Sequence, residues 1–169
     1  MSEKGPSKHM SDRIVLVIED DEPKQRSIVG FLREVLPVST EIQTAESLAS
    51  AIAALSENII ALAIVDMSIP TFDFAKDKRG GGQPQGFGGA DILRFIDSET
   101  STTKSVVLTQ YEEFVIPHDG ERRDPRGLEE ILRGELDDRF FGVIHYSGQH
   151  GSWRDALRDA LERSQLFGG

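Results

Sequence analysis

Apolar positions along the chain follow two periodicities that alternate. Arg13-Ile-Val-Leu-Val-Ile18 is a continuous, β-branched apolar run, as expected of a strand buried on both faces of a parallel sheet. It stops at Glu19-Asp20-Asp21-Glu22, and Pro23 stands where a first helical turn tolerates a missing N–H, behind Asp21 as a capping residue. Ile28, Phe31, Leu32, Val35 and Leu36 then recur at helical spacing as far as Pro37. The same sequence of strand, turn and helix repeats. Glu41 to Ala45 predicts a short strand, followed by an alanine-rich helix with Leu48, Ile52 and Leu55 on one side. Ile59 to Val65 predicts the third strand, ending at Asp66, and Asp91 to Ile96 predicts a helix. Ser105 to Leu108 predicts a buried strand closed by Thr109, and Leu128 to Leu136 a helix weakened by Gly134. Phe140 to Tyr146 predicts the fifth strand. Ser152 is placed to cap a last helix with Trp153, Ala156, Leu157, Ala160 and Leu161 on one stripe.

Parallel strands need crossover helices, so this alternation implies an α/β fold with a doubly wound, five-stranded parallel sheet. Such sheets carry their functional residues at the carboxyl ends of the strands. Those ends are Glu19 and Asp20, Ala45, Asp66, Thr109, and the stretch after Tyr146. Two connections leaving that edge are long. Thr71 to Gly89 holds glycines at 80, 81, 82, 86, 88 and 89, and Gln110 to Gly127 is charged and contains Pro117 and Pro125. Loops beyond about 12–15 residues are uncommon in compact domains and tend to be functional. Residues 1–11 read as a disordered leader or tag, and 12–167 as a single domain.

Composition narrows the partners. No apolar run approaches the ~20 residues that span a bilayer, and the polar start lacks the apolar segment of a signal peptide. The absence of cysteine removes thiol chemistry and fits a cytoplasmic protein. With 29 acidic and 19 basic residues the net charge is −10, which disfavours nucleic acid as a partner.

Glu19, Asp20 and Asp66 stand at strand ends that would be neighbours in such a sheet. Acidic residues also end strands and cap helices for purely electrostatic reasons, but carboxylates that converge repel one another and are tolerated where a divalent cation neutralises them. An all-oxygen set suits Mg²⁺, which takes few carboxylates and completes its shell with water and phosphate oxygens. A carboxylate beside Mg²⁺ can attack a phosphoryl group and form an acyl phosphate, and the Thr109 hydroxyl on the next strand could bond its oxygens. The glycine-rich stretch lacks the Gly-Lys-Ser/Thr ending of a nucleotide-binding loop, and His118, His145 and His150 show no ligand spacing.

At these residues the chain resembles the response-regulator receiver family, whose architecture is flavodoxin-like. An acidic pair ends the first strand in Val17-Ile-Glu-Asp20; an aspartate with proline four residues on ends the third in Asp66-Met-Ser-Ile-Pro70; and Val106-Val-Leu-Thr109 ends the fourth in a hydroxyl residue. Thr44 to Ile52 echoes the family's second strand and helix, and Gly88 to Leu93 its third helix start. The resemblance implies Asp66 as phosphoacceptor, with Mg²⁺ held by Asp20, Asp66 and the backbone carbonyl of Ser68, Glu19 acting through water, and Thr109 as the switch hydroxyl. It further implies a signalling protein rather than an enzyme. A histidine kinase or phosphotransfer protein would donate the phosphoryl group in a two-component phosphorelay. Because the chain ends right after the fifth helix, output is expected through a downstream protein partner.

Two departures stand out. The family's fifth strand ends in lysine and proline, yet no lysine follows Lys104 and no proline follows Pro125. His145 is the nearest candidate for the missing cation, since a histidine carries positive charge when protonated. Bulky and acidic residues, Gln110, Tyr111, Glu112 and Glu113, follow Thr109 where the family is small. A second reading is therefore a degenerate receiver, a phosphorylation-independent interaction module whose long loops form the partner surface.

Overall fold

A computed structural model describes residues 13–70, 88–115, 121–148 and 151–166. The leader and most of the glycine-rich connection lie outside the described residues, as do His118 and His150. The elements are β1 (Ile14–Ile18), α1 (Glu22–Val35), β2 (Glu41–Ala45), α2 (Leu48–Glu57), β3 (Leu62–Val65), α3 (Gly88–Glu99), β4 (Lys104–Thr109), β5 (Phe114–Val115), β6 (Arg122–Arg123), α4 (Pro125–Glu135), β7 (Phe140–His145) and α5 (Ser152–Arg163). Among the described residues, five strands form one parallel sheet in the order β2-β1-β3-β4-β7, the doubly wound arrangement expected from the sequence.

The alternation along each inner strand divides the core into two layers. Leu16, Ile18, Ala63, Val65 and Val107 face α2, α3 and α4 through Leu55, Ile92, Leu93, Ile96, Leu128 and Leu132. Val15, Val17, Leu62, Ile64, Val106 and Leu108 face α1 and α5 through Ile28, Phe31, Leu32, Trp153, Leu157 and Leu161. Removing each of the Val, Leu, Ile and Phe side chains from water contributes roughly 1.5–3 kcal/mol, so both faces hold the sheet.

Local chemistry sets the helix starts. Asp21 caps α1 by accepting from Lys24 N at 3.0 Å, with Pro23 in the first turn. Ser47 and Ser50 form a reciprocal capping box on α2. Asp124 caps α4, with Pro125 in its first turn. The Gln110–Gly127 connection thus contains more structure than its composition suggests: Phe114–Val115 and Arg122–Arg123 pair antiparallel, and the helix begins three residues before Leu128. At α5 the expected cap differs. Ser152 is the first helical residue, Gly151 occupies the cap position, and no side chain bonds there. The third strand is also shorter than the apolar run, since Ile59 is 78% exposed and pairing starts at Leu62.

β7 is an edge strand, and α4 covers its open side. Glu129 accepts from Val143 N at 2.8 Å, while Arg133 donates to the carbonyls of Phe140 and Phe141 at 3.4 and 3.1 Å. Gly142 adopts φ +125° at the irregularity between the Ser105 and Val107 pairings, where a Cβ would also meet Glu129 Oε1 at 2.8 Å. Bulges of this kind favour glycine and blunt a sheet edge against unwanted pairing. No helix among the described residues is long and apolar enough to cross a membrane.

Gly89 fixes where α3 begins relative to the acceptor strand. Its N–H donates to Met67 O at 3.0 Å, and a Cβ would lie 2.6 Å from both Asp66 O and Met67 Cα. Backbone atoms cannot yield as a flexible side chain would. We therefore expect Gly89→Ala to destabilise the fold by about 1–3 kcal/mol in urea unfolding and to shift the amide resonances of residues 66–68; an unchanged midpoint would contradict the close approach.

Candidate functional site

The sheet register assembles the site. Ile18 pairs with Val65, and Asp66 N donates to Ile18 O at 3.0 Å, so Glu19 and Asp66 leave adjacent strands side by side. Glu19 N in turn donates to Ala45 O at 2.9 Å on the other neighbour. Glu19, Asp20 and Asp66 offer carboxylate oxygens that all lie within 4.8 Å of one another. The three acidic residues singled out in the sequence therefore converge. Glu19 and Asp66 are buried and Asp20 is partly exposed.

Burial of carboxylates demands compensation, and one arrives from an unexpected element. Lys24, in the first turn of α1, is only 2% exposed. Its Nζ lies 2.7 Å from Glu19 Oε1, an ion pair outside hydrogen-bond geometry. It donates to Asp66 Oδ1 at 3.3 Å and to the carbonyl of Leu108, beside the end of β4, at 2.9 Å. The remaining carboxylate oxygens are held locally: Asp21 N donates to Glu19 Oε2 at 3.0 Å, and Ser68 Oγ to Asp66 Oδ2 at 3.1 Å. Lys24 Nζ also lies 5.5 Å from the centroid of Tyr146, just beyond the end of β7. That ring packs on Trp153 at 5.0 Å.

The electrostatics follow from this crowding. Burial, reinforced by the neighbouring Asp66 charge, pushes Glu19 up to about 7, with Lys24 pulling the other way. Burial alone would lower Lys24, but Asp66 and Glu19 together hold its ammonium above the ordinary lysine value. The ammonium is therefore charged at neutral pH.

A buried cation is therefore present among these carboxylates, though not where the sequence pointed. His145 approaches Glu112 at 3.9 Å and makes no hydrogen bond through Nε2. Arg139 is occupied at the opposite end of the strand, with Asp137, Thr100 and the carbonyls of Asp97 and Thr103. A signal for Lys24 was present: with Ile28, Phe31, Leu32 and Val35 it falls on the same 3–4-residue stripe that turns α1 toward the sheet.

Thr109 ends β4, the strand adjacent to the one bearing Asp66. It is fully buried; its Oγ1 accepts from Tyr111 N at 3.2 Å and its carbonyl from Tyr146 N at 2.7 Å. Gln110, Tyr111, Glu112 and Glu113 are exposed beside it. The donor set fits a hard divalent cation: it is all oxygen, from a few carboxylates, at a partly open edge. Asp20 and Asp66 would ligate such an ion, with Glu19 close by. Lys24 already pairs with two of the three carboxylates, a feature that any entering ion must displace or share.

No family model matches the chain. An uncharacterised protein of Sinorhizobium fredii, y4jR, is 22% identical over 150 residues, spanning 86% of this chain and 94% of that one. Among solved structures, the response regulator TrrA of Thermotoga maritima, in complex with Mg²⁺-BeF, aligns with a TM-score of 0.54 at 18% identity, covering 89% of this chain and 99% of that one. A CheY-like receiver domain from Methanospirillum hungatei gives 0.56 at 17% identity, covering 92% and 94%. The chain therefore has the fold of response-regulator receiver domains.

Glu19 provides a direct check of the electrostatics. Its folded pKa of about 7 exceeds the ordinary 4.5, so its contribution to stability is complete below about 4.5 and is lost as pH rises through 7. In metal-free protein we expect its side-chain carboxyl carbon to titrate near 7 by NMR, and Glu19→Gln to remove part of the decline in urea stability between pH 5 and 8. Titration near 4.5 would contradict the described burial.

Proposed function

We propose that this chain is an atypical receiver that accepts a phosphoryl group on Asp66 with the help of Mg²⁺, within two-component signalling. The observation that carries this reading is the convergence of Glu19, Asp20 and Asp66 at the carboxyl edge of a receiver-fold sheet, with Lys24 alongside. In this reading the donor is a phosphohistidine on a kinase or phosphotransfer protein. An Asp66 carboxylate oxygen forms the new O–P bond while the histidine N–P bond breaks, its electron pair returning to the imidazole. Asp20, Asp66 and the Ser68 carbonyl would hold Mg²⁺, with Glu19 acting through water, and the ion would supply positive charge against the transferring group. Thr109 bonds the added phosphoryl oxygens, and Lys24 supplies the positive charge that the fifth strand lacks. The protein acts as an acceptor and relay, passing its state to a downstream protein partner, rather than as an enzyme with a separate substrate. A receiver-fold relative solved with Mg²⁺-BeF supports the chemistry, since that group mimics an acyl phosphate.

A second reading draws on one observation of its own. Because Lys24 already compensates Glu19 and Asp66, the acidic pair can persist as a buried structural ion cluster without metal. In that case the chain is a phosphorylation-independent interaction module.

Mg²⁺ with beryllium fluoride separates the two. The phosphoacceptor reading predicts a saturable change in Trp153 fluorescence and in the amide shifts of Asp66 and Thr109 at millimolar Mg²⁺, abolished by Asp66→Asn. No response in the native protein, or the same response in the variant, would overturn it in favour of the interaction module.

A further inference from the structure

Lys24 is placed to do more than balance charge. It is delivered by a helix rather than by a strand, and its ammonium reaches three different structural elements at once. These are Glu19 after β1 at 2.7 Å, Asp66 after β3 at 3.3 Å, and the Leu108 carbonyl in β4 at 2.9 Å. A fourth neighbour, the Tyr146 ring beyond β7, lies 5.5 Å away and leads to Trp153 in the α1–α5 layer.

The ammonium occupies the charge-compensating role that a divalent cation would otherwise fill. Two cations cannot both draw fully on the same pair of carboxylates. An ion entering between Asp20 and Asp66 must weaken the hold of Lys24 on Asp66 and Glu19, by direct repulsion and by competition for the same oxygens. The lysine cannot leave freely, because its backbone is fixed at the N-terminal turn of α1 by the Asp21 cap and by Gln25 donating to Glu19 O at 2.9 Å. What can change is the direction of the ammonium, and hence its bond to Leu108 and its position against Tyr146.

We propose that Lys24 is the built-in counter-ion of this pocket: it holds the acidic pair in the metal-free state, yields when a divalent cation enters, and transmits that displacement to the end of β4 and to Tyr146. This deepens the receiver reading in its metal-binding half and does not depend on phosphoryl transfer.

Mg²⁺ alone is the probe, followed by calorimetry and NMR on the full chain. Removing the tethered competitor should strengthen binding, so Lys24→Met, checked for cooperative unfolding, is expected to bind Mg²⁺ about tenfold more tightly than the native protein. Tyr146 and Trp153 should no longer respond as the ion binds. Binding by the variant alone would mean that native Lys24 excludes the ion and does not yield to it, and would overturn the proposal. Equal or weaker binding by the folded variant, or no binding by either protein, would overturn it. Should the methionine variant fail to fold, Lys24→Gln repeats the comparison. A measurement that needs no variant is the Lys24 Cε resonance in native protein, which should follow Mg²⁺ saturation together with Leu108 and Tyr146. A stationary Cε resonance through saturation would also overturn the proposal. Mg²⁺ binding of this kind without any response to beryllium fluoride would remove the phosphoacceptor reading and leave this one standing.

Discussion

Two carboxylates set on adjacent strand ends and closed off from water repel each other strongly unless a positive charge lies between them, because the interior screens charge far less than water does. In this protein that charge is Lys24. Its ion pairs with Glu19 and Asp66 and its bond to the Leu108 carbonyl connect the ends of three neighbouring strands to the first turn of α1. Breaking one partner of such a cluster leaves an uncompensated buried charge, which typically costs about 3–5 kcal/mol. The acidic edge and the helix that covers it are thus parts of one arrangement.

The rest of the fold serves that arrangement. The parallel register sets Glu19 beside Asp66, and the two apolar layers keep the register from slipping, since a shift of one residue would turn Val15 and Val17 to the wrong face. Ile28, Phe31 and Leu32 press α1 onto the same face as α5, and that contact aims Lys24 inward. Trp153, packed edge-on against Phe31 at 5.5 Å and against Tyr146 at 5.0 Å, ties the last helix to the element that carries the cation. On the other face, Gly89 lets α3 start directly against the backbone of Asp66 and Met67.

Much of this was legible in the residue pattern, and the reasons are physical. Continuous β-branched runs such as Ile14–Ile18 have few alternatives to a doubly buried parallel strand, and strand ends in such sheets are where chemistry gathers. Glu19, Asp20 and Asp66 were therefore recognisable as a group before their distances were known. The cation was not, because a point in space near the end of the fifth strand is reached here from α1, a distant position in the chain. Lys24 sits five residues after Glu19, within a run of charged residues that reads as a solvated helix start. Only its place on the stripe of Ile28, Phe31 and Leu32 marks it as buried. The small β5–β6 pairing was missed for a different reason: two-residue strands leave no periodicity to detect. The cap of α5 was misjudged by one residue, a common outcome where Ser follows Gly and either can start a helix.

Lys24 and Asp66 interact directly, and this interaction holds the site together. A double-mutant cycle in urea, built from Lys24→Met, Asp66→Asn and the pair, measures it without assuming any metal or phosphoryl chemistry. A coupling energy of about 1–3 kcal/mol, with the double variant more stable than the sum of the single changes allows, is the predicted result. Additivity within about 0.5 kcal/mol would mean that the two side chains do not sense each other, and would contradict the account.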